Sequence, residues 1–166
     1  MTAGGGDATG HATGHATGDR RAAATWEALF RTQAELLRRL SDDPIWHEVS
    51  LREYDVLFVL SRAGGALRLR DLTRSLFLVQ SSVSRLVERM AARGLVERTT
   101  PPDDARGTLV TLTAEGRRLQ HDVGARHQEA IGRYVGQGLD DDEQRELRLL
   151  LDRLRAAQAT IDPVPR

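Results

Sequence analysis

Two serines and two arginines, Ser81, Ser82, Arg85 and Arg89, share one side of a stretch whose other side, Val83, Leu86 and Met90, is apolar. That spacing is helical. Small hydroxyls at a helix start let the backbone approach another surface closely, and Arg85 is long enough to reach out from it. A guanidinium is a planar fork of donors that fits two adjacent acceptors, either phosphate oxygens or the O6 and N7 edge of guanine. A second pair of chemical interest is Asp104 and Arg106. Two residues apart in an extended segment, they lie on one side, so the carboxylate can orient the guanidinium. A narrow minor groove attracts an arginine held in this way. Taken singly, the first set is an ordinary solvated helix face and the second a surface ion pair. Taken together, they point to double-stranded DNA.

Charge supports the same partner. The 166 residues carry 24 basic and 24 acidic side chains, so the net charge is zero, and every basic residue is arginine. A GC-rich genome also yields that bias. The distribution is uneven, since residues 67 to 99 hold seven arginines against Asp71, Glu88 and Glu97, a net of plus four. Local charge is what a polyanion meets. Arg68, Arg70, Arg74 and Arg98 are candidates for phosphate contacts.

Other chemistries are poorly supplied. There is no cysteine, which removes thiol nucleophiles and cysteine-held zinc. No Gly-rich phosphate loop, G-x-S-x-G elbow or H-E-x-x-H spacing occurs. His47, His121 and His127 are too scattered for a recognisable zinc site, and His11 and His15, in an ATGH repeat, offer a metal only weak ligation. The expectation is a non-enzyme without a cofactor, cytoplasmic, with no membrane span or secretory signal.

Several elements are needed to position the two arginine sites. Residues 1–19, rich in glycine and without a large apolar residue after Met1, read as a disordered tail. Arg20 to Leu40 carries Trp26, Leu29, Phe30, Leu37 and Leu40 near the helical period. Ser50 and Glu53 form an S-x-x-E capping box for a second helix that stops at Gly64-Gly65. A third helix over about Leu69 to Leu76 and a fourth over about Gln80 to Arg93 follow, the latter stopped by Gly94. Val96 to Thr100 and Thr108 to Leu112 predict a two-stranded hairpin whose tip runs from Pro101 to Gly107. Thr113 caps a fifth helix, and Asp140 to Glu143 open a sixth with Leu147, Leu150, Leu151 and Leu154 on one face. That leucine face needs a partner. The fold class expected is mainly α with a small β-hairpin wing: a winged helix-turn-helix of six helices, acting as a homodimer.

These residues resemble the MarR-type transcription regulators over roughly Arg20 to Ala157. The specific parts are Ser84 to Met90 with Gly94-Leu95-Val96, then Asp104-Ala105-Arg106-Gly107, then Leu112-Thr113-Ala114-Glu115-Gly116. They match the family's recognition helix, its wing D-x-R and its L-T-x-x-G entry to the fifth helix. The resemblance implies a homodimer on pseudo-palindromic DNA. Ser81, Ser82 and Arg85 match major-groove contacts and Arg106 the minor-groove arginine. It divides the chain into a tail at 1–19, a dimerisation helix in 20–49, a DNA-binding lobe in 50–112 and dimerisation helices in 113–166. Trp26 and Asp55 resemble positions used by the urate-responsive branch, which implies a small aromatic acid as ligand. Two departures stand out: the turn Leu76-Phe77-Leu78-Val79 is apolar and lacks the frequent glycine, and Ala105 occupies a wing position that is often basic. The competing expectation is a winged-helix protein interaction module that does not bind DNA.

Overall fold

The helices at Leu51, Ala114 and Asp141 start where the sequence supplies acceptor side chains. The computed structural model describes residues 10–101 and 107–162, with side chains from residue 18 onward. Helix α2 (Leu51–Arg62) begins with the full capping box, the Ser50 hydroxyl accepting from the Glu53 N–H and the Glu53 carboxylate accepting from the Ser50 N–H at 2.8 Å. Thr113 caps α5 (Ala114–Gly136) by accepting from the Gly116 N–H at 3.0 Å. Asp140 caps α6 (Asp141–Ala157) in a second capping box with Glu143. Each cap satisfies N–H groups that a helix end otherwise leaves without partners.

The chain forms two compact units, Met1–Asp42 and Asp43–Arg166. The first contains α1 (Gly10–Ser41), in which Trp26 stacks on Phe30 at 6.2 Å between centroids. Glu27–Arg31 and Glu35–Arg38 ion pairs, each 2.7 Å, run along its surface. Here one expectation is corrected. Residues 10–19 continue the helix rather than forming a structureless tail; residues 1–9 lie outside the described residues. Extending an existing helix adds one hydrogen bond per residue fixed, whereas starting one does not, so alanines spaced among the glycines suffice to carry it on.

The second unit holds α2, β1 (Ala66–Arg68), α3 (Leu69–Leu76), α4 (Gln80–Ala92), β2 (Val96–Thr99), β3 (Leu109–Leu112), α5 and α6. Its sheet is antiparallel in the order β1-β3-β2, with Leu67 opposite Val110 and Val96 opposite Leu112. The expected two-stranded hairpin therefore has a third strand. Three residues after two glycines show no readable period, and β1 exists only because β3 pairs with it. Gly64 and Gly65, at φ 82° and 101°, make the reversal from α2 into that strand, and the Gly65 carbonyl accepts from the Leu112 N–H at 2.7 Å.

Val56, Leu57 and Leu60 of α2, Leu72 of α3, Val83, Val87 and Met90 of α4, and Val110 of β3 are fully buried in one core. Gly116 shows how tightly α5 enters it: a Cβ there would lie 2.1 Å from the Leu95 carbonyl oxygen. The Thr113 hydroxyl donates to the Gly94 carbonyl at 2.7 Å, closing the same corner. The T-x-x-G spacing is thus a cap and a close approach in one motif. Helix α6 has no buried residue at all.

Candidate nucleic-acid interface

The amphipathic pattern of α4 resolves into two distinct faces. Val83, Leu86, Val87 and Met90 are buried, while Ser81, Ser82, Arg85 and Arg89 are exposed. Neither Arg85 nor Arg89 has a carboxylate partner among the described residues. No acidic residue occupies the first turn of α4, so the positive end of its dipole is left uncompensated there. The face that emerges offers hydroxyls, N–H groups and guanidinium forks to an anionic partner.

Around it, the other arginines fall into different classes. Arg70 and Arg74, exposed on α3, lie beside Asp71 at 3.7 and 3.2 Å. Arg98 on β2 pairs with Glu88 on α4 at 3.4 Å, so it also ties the wing strand to the helix. Arg98 and three threonines, Thr99, Thr100 and Thr108, line a hollow of about 280 Å³. Arg93 is not part of the outer face. Its guanidinium donates to the buried Glu53 carboxylate at 2.5 Å and to the Glu48 carbonyl. This clamp fastens the end of α4 to the start of α2, and forty positions separate its two members. Burial raises the Glu53 carboxyl, but hydrogen bonds from Ser50 and Arg93 outweigh it and hold its pKa below the ordinary glutamate value. Asp104 and Arg106, the wing-tip pair, lie outside the described residues.

The turn between α3 and α4 keeps the apolar character seen in the sequence. Leu76 and Leu78 pack against the core, whereas Phe77 and Val79 are 92 % and 68 % exposed. Phe77 has φ 52° and Val79 is the N-cap of α4 without a side-chain cap bond.

A second feature lies between α2 and α5. A cleft of about 350 Å³ is lined by Tyr54, Asp55, Phe58, Gly124, His127, Gln128 and Ile131. Tyr54 stacks on Phe58 at 6.1 Å and meets His127 edge-on at 5.2 Å, with Trp46 against the imidazole at 5.1 Å. Burial raises the Asp55 carboxyl and lowers the His127 imidazole, so each is held toward its neutral form. The Nδ1 of His127 is buried without a hydrogen-bond partner among the described residues. Trp26, expected to act with Asp55, belongs to the α1 unit. His127 and Tyr54 had no sequence signal beyond their types, because only the pairing of α2 with α5 brings them together. Among the described residues, no three histidines or acids gather as a metal site would require. No helix among them is long and apolar enough to cross a membrane.

A helix-turn-helix whose second helix leads into an antiparallel hairpin, with that helix's outer face left clear, is a winged helix-turn-helix. Residues 47–107 match the sequence model of the MarR family. It is 28% identical to the HTH-type transcriptional regulator YhbI of Bacillus subtilis, covering 78% of this chain and 86% of that one. Among solved structures, Bordetella bronchiseptica BpsR, whose DNA binding is regulated by 6-hydroxynicotinic acid, matches with a TM-score of 0.69 at 25% identity. That match covers 80% of this chain and 98% of BpsR. The fold is also that of Streptomyces coelicolor Sco3205, solved in complex with DNA, with a TM-score of 0.72 at 23% identity over 81% and 85% of the two chains. YhbI and Sco3205 are transcriptional regulators.

Proposed function

We propose that this chain binds double-stranded DNA as a homodimer, recognises a pseudo-palindromic operator, and represses transcription until a small aromatic ligand releases it. The observation that carries the reading is the outer face of α4, where Ser81, Ser82, Arg85 and Arg89 stand clear of a fully packed inner face. Arg85 forks onto guanine in the major groove; Ser81 and Ser82 let the helix start approach the bases; Arg89, Arg70, Arg74 and Arg98 meet phosphates. Arg106, with Asp104 beside it in sequence, is assigned to the minor groove on the family resemblance. No catalytic step is assigned, and the place of action is the cytoplasm.

A second copy follows from the apolar surface of the single chain. Leu147, Leu150, Leu151 and Leu154 of α6 are all exposed, as are Trp26, Phe30 and Leu37 of α1. Dimerisation through α1, α5 and α6 covers such faces and sets two reading helices about one DNA turn apart. The α2–α5 cleft is of ligand size and offers aromatic walls with few polar groups. Asp55, whose carboxyl pKa burial raises, supplies a polar group to that cleft.

The test is a gel shift on the DNA upstream of the protein's own gene, repeated at rising salt and with added aromatic acids. Replacing Arg85 and Arg106 together by alanine abolishes the shift and leaves the dimer intact. Normal binding by that double variant overturns the reading and favours a winged-helix module that binds protein.

A further inference from the structure

The turn between α3 and α4 carries two apolar side chains that the fold does not use. Leu76 and Leu78 point into the core, while Phe77 and Val79 point away from it. Phe77 also sits at φ 52° and ψ 34°, the left-handed region in which glycine or asparagine is the comfortable residue at a helix end. Its backbone N–H closes α3 on the Arg74 carbonyl at 3.3 Å, a bond that glycine makes equally well. The benzyl group therefore strains the backbone and gives the core nothing. Val79 stands at the N-cap of α4, where serine, threonine or aspartate would satisfy a first-turn N–H, and makes no such bond.

What surrounds the pair indicates its partner. The exposed Ser81 and Ser82 follow after Gln80, and the exposed Arg70 and Arg74, with Asp71 between them, precede it on α3. An apolar tip framed by guanidinium groups and a helix start fits a polyanion that shows apolar groups on its groove edge. The only such group in the major groove is the 5-methyl of thymine.

We propose that Phe77, with Val79 beside it, is a specificity-determining contact to a thymine methyl group, next to the bases that Ser81, Ser82 and Arg85 reach. The contact rests on the DNA-binding reading above and adds a base preference that neither serine nor arginine supplies.

Thymine scanning tests it. DNA recovered by the full chain from a randomised pool is remade with deoxyuridine, which lacks the methyl, at one thymine at a time. The unaltered chain loses about fourfold in affinity per half-site at one position, the value of burying one methyl-sized group. Phe77→Gly loses the same factor on thymine DNA, becomes indifferent to deoxyuridine there, and keeps its preference at guanine. Its melting temperature does not fall, because the left-handed strain is relieved; Phe77→Asn, which also tolerates that backbone, behaves alike. Indifference of the unaltered chain to deoxyuridine at every position overturns the proposal. So does a variant that stays as sensitive as the parent, melts lower, or sediments as a different oligomer, since each makes Phe77 a fold or protein contact. Failure of the unaltered chain to bind any DNA is a separate result that removes the DNA reading, and this contact with it.

Discussion

Helices α4 and α6 have the same kind of sequence and opposite fates. Both place four apolar residues on one face and charges on the other, yet α4 buries Val83, Leu86, Val87 and Met90, whereas α6 buries nothing. The difference is what the chain itself provides. Helix α4 enters a cup formed by α2, α3 and the sheet, so its apolar face is closed locally and its outer face is held rigidly outward. Helix α6 presents leucines that stay exposed, and the dimer proposed above covers them. One pattern thus specifies a fold and the other, on the proposed dimer, an assembly, and the two make different predictions.

The largest effect comes from breaking the closed face. Val87→Asp puts an unpaired charge at a fully buried site, costs about 4 kcal/mol or more, and unfolds the lobe at any concentration, as circular dichroism melts will show. Leu150→Asp on α6 leaves the fold of the monomer intact and abolishes the dimer. Sedimentation then gives one chain, and melting loses its dependence on protein concentration. Equal unfolding by the two substitutions would erase the distinction between the helices. Gly116→Ala sharpens the closed side: its Cβ must displace the Leu95 carbonyl, so stability falls by about 1 to 3 kcal/mol in denaturant titration.

The smallest effect concerns how α4 is tied down at its end. The folded pKa of Glu53 lies below its unfolded value, so its ionised form stabilises the fold above the unfolded pKa. That contribution is lost as pH falls through the lowered value, on the acid side of the ordinary glutamate range. Glu53→Gln therefore flattens the acid limb of the stability curve and costs about 1 kcal/mol at neutral pH. A variant whose acid limb matches the parent's would place the ion pair with Arg93 outside the stability of the lobe.

Local signals were legible in the sequence and distant pairings were not. Ser50 with Glu53, Thr113 with Gly116 and the two faces of α4 depend on spacings within one helix turn or along one helix, so residue types alone reveal them. Strand β1 escaped because its three residues become a strand only by pairing with β3. The sequence read Arg93 as part of a positive stretch, yet it faces Glu53, forty positions away. The aromatic walls of the cleft come from α2 and α5, which no short motif joins. The helix continued to Gly10 where composition suggested no structure, since propensity is a weaker guide than propagation. The apolar turn was visible as a departure, but only the backbone angle and exposure of Phe77 give it a meaning.

The central claim is that the outer face of α4 reads bases, and selection from randomised DNA with Arg85→Ala tests it most directly. The account predicts that this variant still dimerises and binds DNA, loses about 1 to 3 kcal/mol, and no longer selects guanine at one position of each half-site, while the rest of the recovered sequence persists. Recovery of the parent's full sequence at the parent's affinity would contradict it.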